Sequence, residues 1–489
     1  MKAIIQLDNV DFTFAQNLWN QFLNVIPKIL LGIGFIILAF IILKIVNFIL
    51  LIILFANQLI FAQKSIDKKT FQDSIAVDSY GGVLSIKGTP NEYFTIQQIN
   101  GRYCFVTPEG HGMLALGVTH LGAVQEVAPN NIFQTKYNSN WDTYSIEAEK
   151  NLRSWGFNSL SYHSNGDMYQ KMPGMLACYP IKNSQWKSDT AFSYEDVFDP
   201  AYHAVVEKHI EQMVNQAGNN KNIMGYYWND IPQWSLNKTY EKRGTNWLIF
   251  YRELPANSTG KTMYVEFLKK QHRNNLESIN STYNISATNW DDVKSSSFST
   301  TDRNKTSVKS DDESFLRLIA REFYRVLGTY TKEKDPNRLI LGERYFFGDH
   351  PDYVLEEQNK WVDAIAFQPG GAHINIAEYE QMYSVVKKPI MICDHQRSFY
   401  TDDYPKTMWQ QLPSQEEAGK SYNEYLNAAL KKTYILGYNR CQYISRGAGD
   451  VLKQGLLDIN GDPYETIVEY MTITNKELLK RFSNGTLSE

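Results

Sequence analysis

Cysteine is scarce. Only Cys104, Cys178, Cys393 and Cys441 occur in 489 residues, widely spread and without the close pairs of a zinc-ligand set. No structural zinc site is legible, and Cys393 and Cys441 lie inside apolar runs, where buried thiols are expected rather than disulfides. An excess of charge is missing too. The net charge is −4, so there is no basic surplus to attract nucleic acid. No glycine-rich turn follows the first strand, which removes the signature of a doubly wound nucleotide-binding sheet. No internal repeat is visible beyond an alternation of strands and helices. What the chain does have is aromatic surface, 13% of residues with 10 Trp and 31 Tyr. Ring faces suit the C–H faces of sugars, although core packing accounts for most of them.

The amino end is apolar. From Ile29 to Ala62 the only formal charge is Lys44, a run longer than the roughly 20 residues that span a bilayer. Lys44, the apolar residues after it and Ala62 before Gln63 have the order of a signal peptide. Upstream, residues 14–32 resemble the first membrane helix of small mechanosensitive channels. Two arrangements fit: a cleaved signal preceded by a gene-model fusion upstream of residue 44, or one long uncleaved anchor over residues 29–62. Either puts the bulk of the chain outside the cytoplasm, at the cell surface, in the periplasm or secreted. Residues 63–108 read as a tether with short strands. There Asn100-Gly101 is a hairpin signal between two strand-like runs.

From residue 109 to 489, apolar runs of strand length alternate with amphipathic helical stretches, which favours a parallel sheet. Strands are expected near residues 113–120, 157–162, 175–179, 223–228, 338–342, 362–367, 389–393 and 434–444. Helices are expected near 147–155, 201–216, 262–275, 310–334, 414–433 and 463–482. Eight strands mostly followed by helices predict an α/β fold, a (β/α)8 TIM barrel with a short N-terminal β extension. Residues 280–308, rich in Ser, Thr and Asn, read as an exposed insertion.

Barrels place their chemistry at the carboxyl ends of strands. The run Ile223–Trp228 ends in Asn229-Asp230, and the run after Pro389 ends in Asp394-His395-Gln396-Arg397. Two aspartates delivered by distant strands suit the cleavage of a glycosidic bond, which needs an acid for the leaving oxygen and a second carboxylate across the sugar. The plainer reading of each is a helix cap, weak for Asp230 before Pro232 and stronger for Asp394, where Ser398 and Asp403 compete. Glu343 is a third candidate acid; its alternative is an ion pair with Arg344 or another arginine. His120 and His163 end the first two strands and are candidate sugar contacts. So are Asn229, Trp228, Trp234, His395, Gln368 and Asn439, with Trp141 more distant; each could equally be packing. No spacing supports a metal role, and no cofactor is expected. The expected partner is a carbohydrate, with a membrane contact only if the amino-terminal segment stays uncleaved.

Residues 101–110, from Gly101-Arg102-Tyr103 to Pro108-Glu109-Gly110, and the following Gly117-Val118-Thr119-His120 resemble the barrel entry of agarase-like glycoside hydrolases, family 50. Residues 225–234, Tyr283-Asn284-Ile285-Ser286 with Asn289-Trp290, and Gln454-Gly455-Leu456-Leu457-Asp458 with Gly461-Asp462-Pro463-Tyr464 are similar as well. The resemblance covers roughly residues 98–480 and implies a retaining β-galactosidase-type barrel acting on a poly- or oligosaccharide, an agar-type galactan among them. It implies that Asp230 stands at the acid/base position and Asp394 at the nucleophile. Both are departures, because the clan carries glutamate at each. Tyr438-Asn439-Arg440 likewise stands where such enzymes usually have a tryptophan, and Gln368 where a tyrosine is common. Removing one methylene from each acid would widen the gap by roughly 2–3 Å, from the ~5–5.5 Å of retaining towards the ~6.5–9.5 Å of inverting enzymes. Inversion, a backbone shifted to restore the gap, or loss of hydrolysis with sugar binding kept are the three expectations.

Overall fold

Asn100 and Gly101, at φ 50° and 78°, make the tight turn expected between Thr95–Ile99 and Arg102–Val106. Left-handed φ at both central residues matches the twist of the two strands it joins. In the computed structural model, which describes residues 16–18, 20–21, 75–402, 404–407, 410–447 and 454–489, this hairpin belongs to a four-stranded sheet with Val83–Lys87 and His111–Met113. Residues 16–18 and 20–21 are helical and belong to a separate unit, Met1–Ser74; Ile75–Glu489 is the other unit. The apolar segment 29–62 lies outside the described residues. Among those described, no helix is long and apolar enough to cross a membrane.

Eight parallel strands close a barrel. In order they are Ala115–Val118, Ser159–Leu160, Gly174–Cys178, Ile223–Trp228, Leu339–Gly342 continued as Arg344–Tyr345, Ile365–Phe367, Ile390–Gln396 and Ile435–Cys441. The fifth is broken at Glu343. Its first piece pairs with the fourth strand and its second with the sixth, while the eighth pairs with the first. Alternation, interrupted by a slip in pairing between Ile223 and Gly225, then divides the side chains. Met224, Tyr227, Leu341 and Met391 fill the interior, while Tyr226, Trp228, Ile340 and Ile392 pack outward with the helix-facing core. Phe94, Phe105 and Met113 of the extension join the interior cluster, so the four-stranded sheet packs onto the barrel core.

The insertion is larger and more ordered than its composition suggested. Between the fourth and fifth strands lie helices Leu236–Arg243, Trp247–Glu253, Thr259–Gln271, Leu276–Tyr283 and Trp290–Ser295, before the long helix Thr306–Lys334. Residues 280–308 are therefore not simply an exposed loop: Tyr283, Val293, Phe298 and Val308 are buried. Polar residues cap the short helices across the whole connection, Asn289 among them within 280–308. Ser235, Asn246, Ser258, Asn275 and Asn289 each accept the backbone N–H three residues on.

Two strand glycines permit close approach. A Cβ at Gly225 would sit 2.2 Å from the Leu339 carbonyl oxygen, and one at Gly437 would sit 2.1 Å from that of Ala115. Gly437→Ala is expected to lower stability by about 2–4 kcal/mol, read from denaturant unfolding, because backbone rather than a flexible side chain must move. A loss below about 0.5 kcal/mol would contradict that packing.

Candidate active site

Several strand ends leave extended geometry. His120 (φ 60°), His163 (60°) and Asn229 (47°) follow the first, second and fourth strands, and Asp394 (53°) interrupts the seventh, all in left-handed backbone. Such conformations are costly away from glycine, and they gather at functional sites. The turn at Asp394 decides where its side chain goes. Met391 and Cys393 point into the barrel, so strict alternation would send Asp394 outward. Instead the pairing slips between Ile392 and His395, and the carboxylate faces the first strand's His120. Gly342 (φ 71°) acts similarly on the fifth strand, where the pairing slips beside Tyr227. After it Glu343 faces the helices and Arg344 faces the barrel mouth.

Asp230 and Asp394 are brought to the same groups. Asp230 Oδ1 forms an ion pair with Arg344 Nη2 and accepts a hydrogen bond from Trp186 Nε1 at 3.1 Å. The Arg344 guanidinium lies over the Tyr162 ring, 4.2 Å from its centre. Burial alone would lower it, but Asp230, Tyr162, Tyr179 and then Asp394 hold it well above the usual arginine value. The Tyr179 phenol is raised first by burial; Arg344 opposes that shift, and Asp230 and Asp394 add to it. Both carboxylates therefore act on one arginine and one tyrosine. Access differs, with the Asp230 side chain 23% exposed and that of Asp394 1%.

A file of polar atoms runs from Asp394 to the surface. Its Oδ1 is 4.0 Å from His120 Nε2; His120 Nδ1 is 3.1 Å from His163 Nδ1, and His163 Nε2 is 2.9 Å from the Tyr179 hydroxyl. His163 is exposed. Asn229, at the fourth strand's end, is buried with neither amide atom partnered among the described residues, as is Gln368 Oε1. Asn439 lies against Gly117 of the first strand.

Other expected site residues point away. Glu343 is fully buried and accepts from Trp234 Nε1 (2.8 Å) and the Tyr324 hydroxyl, with His350 Nε2 at 3.1 Å. It joins neither the aspartate pair nor an arginine, because the bulge at Gly342 turns it into the helix layer. Trp234 stacks on Trp247, and Trp228 Nε1 donates to Thr331 Oγ1 on the long helix. His395 is buried between Tyr425 and Tyr438. Trp141 packs on Phe133 and Tyr144. Strand alternation sends Trp228 outward, and the slip that turns Asp394 in turns His395 out. Sequence reasoning missed Trp186, Tyr179 and Tyr162. Trp186 sits in a polar loop without periodicity, whereas the two tyrosines stand next to strand ends already under consideration.

Among the described residues, His120, Asp394 and Cys441 each offer one ligand atom within 4.8 Å of the others, all buried, and could hold a metal ion. Asp78, Glu109 and His111 are similarly close, but the Asp78 carboxylate already takes Thr107, His111 and two backbone N–H groups. A cavity of about 700 Å³ lies in the helical insertion, lined by Arg252, Lys261, Phe298 and Arg303, and shares no lining residue with the aspartate site.

No family model matches the chain. It is 20% identical over 358 residues to beta-agarase B of Vibrio sp. (strain JT0107), a match covering 69% of this chain and 36% of that protein. The chain thus spans little more than a third of that relative's length. Among solved structures, an exo-beta-agarase superposes with a TM-score of 0.73 at 16% identity, over 83% of this chain and 67% of the other. A further agarase gives 0.72 at 18% identity, over 86% and 70%. The barrel described above is the fold of those enzymes.

Glu343→Gln is expected to destabilise the protein by about 1–3 kcal/mol, since all three donors meet Oε1, an amide oxygen accepts more weakly than a carboxylate oxygen, and the new amide N–H groups are buried where Oε2 has no partner among the described residues. Thermal unfolding checks this. An unchanged midpoint would remove Glu343 from the packing of the helix layer.

Proposed function

We propose that the chain is a glycoside hydrolase cleaving an agar-type galactan, with Asp230 and Asp394 as its two carboxylates. The observation that carries this is that Asp230, after the fourth strand, pairs with Arg344, while Asp394, on the seventh, is joined through His120 and His163 to the Tyr179 hydroxyl. The likeness to agarases in sequence and in barrel supports the substrate class. Cleavage transfers a proton to the leaving glycosidic oxygen, the bond from that oxygen to the anomeric carbon breaks, and water supplies the new hydroxyl and the replacement proton. Trp186, 36% exposed beside Asp230, gives a ring face for a sugar. The amide of Asn229 and the Oε1 of Gln368, without partners among the described residues, offer hydrogen bonds to hydroxyls. Delivery to an extracellular setting by residues 29–62, as signal or anchor, belongs to the same reading.

The surroundings assign the roles. An acid at Asp230 would have to leave Arg344 before giving up a proton; a base or nucleophile would not. Asp394 faces His120, and the file through His163 gives its proton a route to water. In this proposal Asp230 is the base or nucleophile and Asp394 the acid, the reverse of what the resemblance alone implies. A sugar-binding barrel without turnover is the second reading, favoured by the burial of Asp394.

Agar oligosaccharides are expected to be cleaved, with the product anomers read by proton NMR; Asp230→Asn and Asp394→Asn should each lower kcat by about 10²–10⁴-fold. On an aryl galactoside with a good leaving group, which needs no acid, Asp394→Asn should recover most of its loss while Asp230→Asn does not. The opposite pattern would reverse the roles. No turnover of any agar-type glycan by the wild type, with binding retained, would establish the second reading.

A further inference from the structure

Arg397 and Arg440 form a second charged cluster, outside the aspartate site. Arg440 lies on the eighth strand and Arg397 just after the seventh, one step from the His395–Arg440 pairing. The two residues are 1% and 0% exposed. Arg397 Nη1 donates to the carbonyls of Gly371 (3.1 Å) and Gln396 (3.2 Å) and lies 2.7 Å from His395 Nε2. Arg440 Nη2 donates to the carbonyls of Arg397 (2.8 Å) and Gln454 (3.1 Å). The remaining guanidinium nitrogens, Nε and Nη2 of Arg397 and Nε and Nη1 of Arg440, have no partner among the described residues.

Neither arginine has a carboxylate partner there. Glu378 acts on the nearby Tyr425 phenol but forms no ion pair with either guanidinium among the described residues. The walls are uncharged at neutral pH. Burial raises the phenols of Tyr379, Tyr422, Tyr425 and Tyr438. Burial, then Arg397, lowers the His395 imidazole well below its usual range. Arginine does not give up its proton in proteins. The cluster therefore holds two interior positive charges, Arg397 acting on Arg440, with the Tyr425 ring 4.6 Å from the Arg397 guanidinium but no negative charge among the described residues to offset them, an arrangement that is strongly unfavourable.

We propose that this cluster binds a small inorganic anion of the halide kind, held between the two guanidiniums by the four unused nitrogens. The enclosure argues for size: groups with this little exposure leave no opening for an anion attached to a sugar or nucleotide. The anion neutralises the cluster and ties the ends of the seventh and eighth strands together. Asp394 stands three residues before Arg397, so the bound ion also steadies the turn that aims it. The inference does not depend on which bond the aspartates cleave.

The test compares thermal unfolding of the full chain in sodium chloride and in sodium gluconate at equal ionic strength. Chloride should raise the midpoint logarithmically, by about 1–2 °C for each tenfold increase above half-occupancy, and gluconate should not. Arg440→Met should flatten the chloride response. Should that variant fail to fold, wild-type crystals soaked in bromide decide the matter: an anomalous peak between the two guanidiniums supports the site. Equal midpoints in chloride and gluconate, with no bromide peak or only water at that position, would overturn it.

Discussion

The ion pair between Asp230 and Arg344 organises the mouth of the barrel, and one glycine makes it available. With Gly342 in left-handed backbone, two consecutive charged residues are sent to opposite sides of the same strand. Glu343 goes out to Trp234, Tyr324 and His350, and Arg344 goes in to Asp230 and Tyr162. An L-residue at that position would be strained by its φ and crowded as well, since its Cβ would lie 2.5 Å from Gln358 Nε2. The fifth strand thus supports the packing of the helix layer and the electrostatics of the site at once. The left-handed turn at Asp394 has the corresponding effect on the seventh strand, placing one carboxylate inside and an imidazole outside.

Much of the fold was legible because its signals are local. The hairpin at Asn100-Gly101, the apolar strand Ile223–Trp228 and the long helix ending at Lys334 all follow from turn chemistry and hydrophobic period. The insertion was not legible in the same way. Its short helices carry polar caps at so many positions that composition resembles a loop, and their burial comes from tertiary contacts of Tyr283 and Val293 that no local pattern announces.

The site was legible in part for a related reason. A strand ending in an acid can be seen in sequence, so Asp230 and Asp394 could be named. Which way a residue faces after a bulge cannot be seen. Glu343, His395 and Trp228 sit at or next to strand ends, Trp234 lies in the loop after the fourth strand, and all four face the helices. Arg344 was read only as a possible partner for its neighbour, whereas its partner is 114 positions earlier in the chain, at Asp230. The two acids differ sharply in exposure, and in the proposed reading a sugar arrives first at Asp230 and Trp186.

A crystal structure of the full chain with a non-hydrolysable agar-type oligosaccharide addresses the pairing of the two acids most directly. The account predicts a glycosidic oxygen within hydrogen-bonding distance of Asp394 and an anomeric carbon facing Asp230, with a sugar ring on Trp186 and Arg344 still beside Asp230. A sugar seated away from both aspartates, or Glu343 turned inward to meet it, would contradict the account.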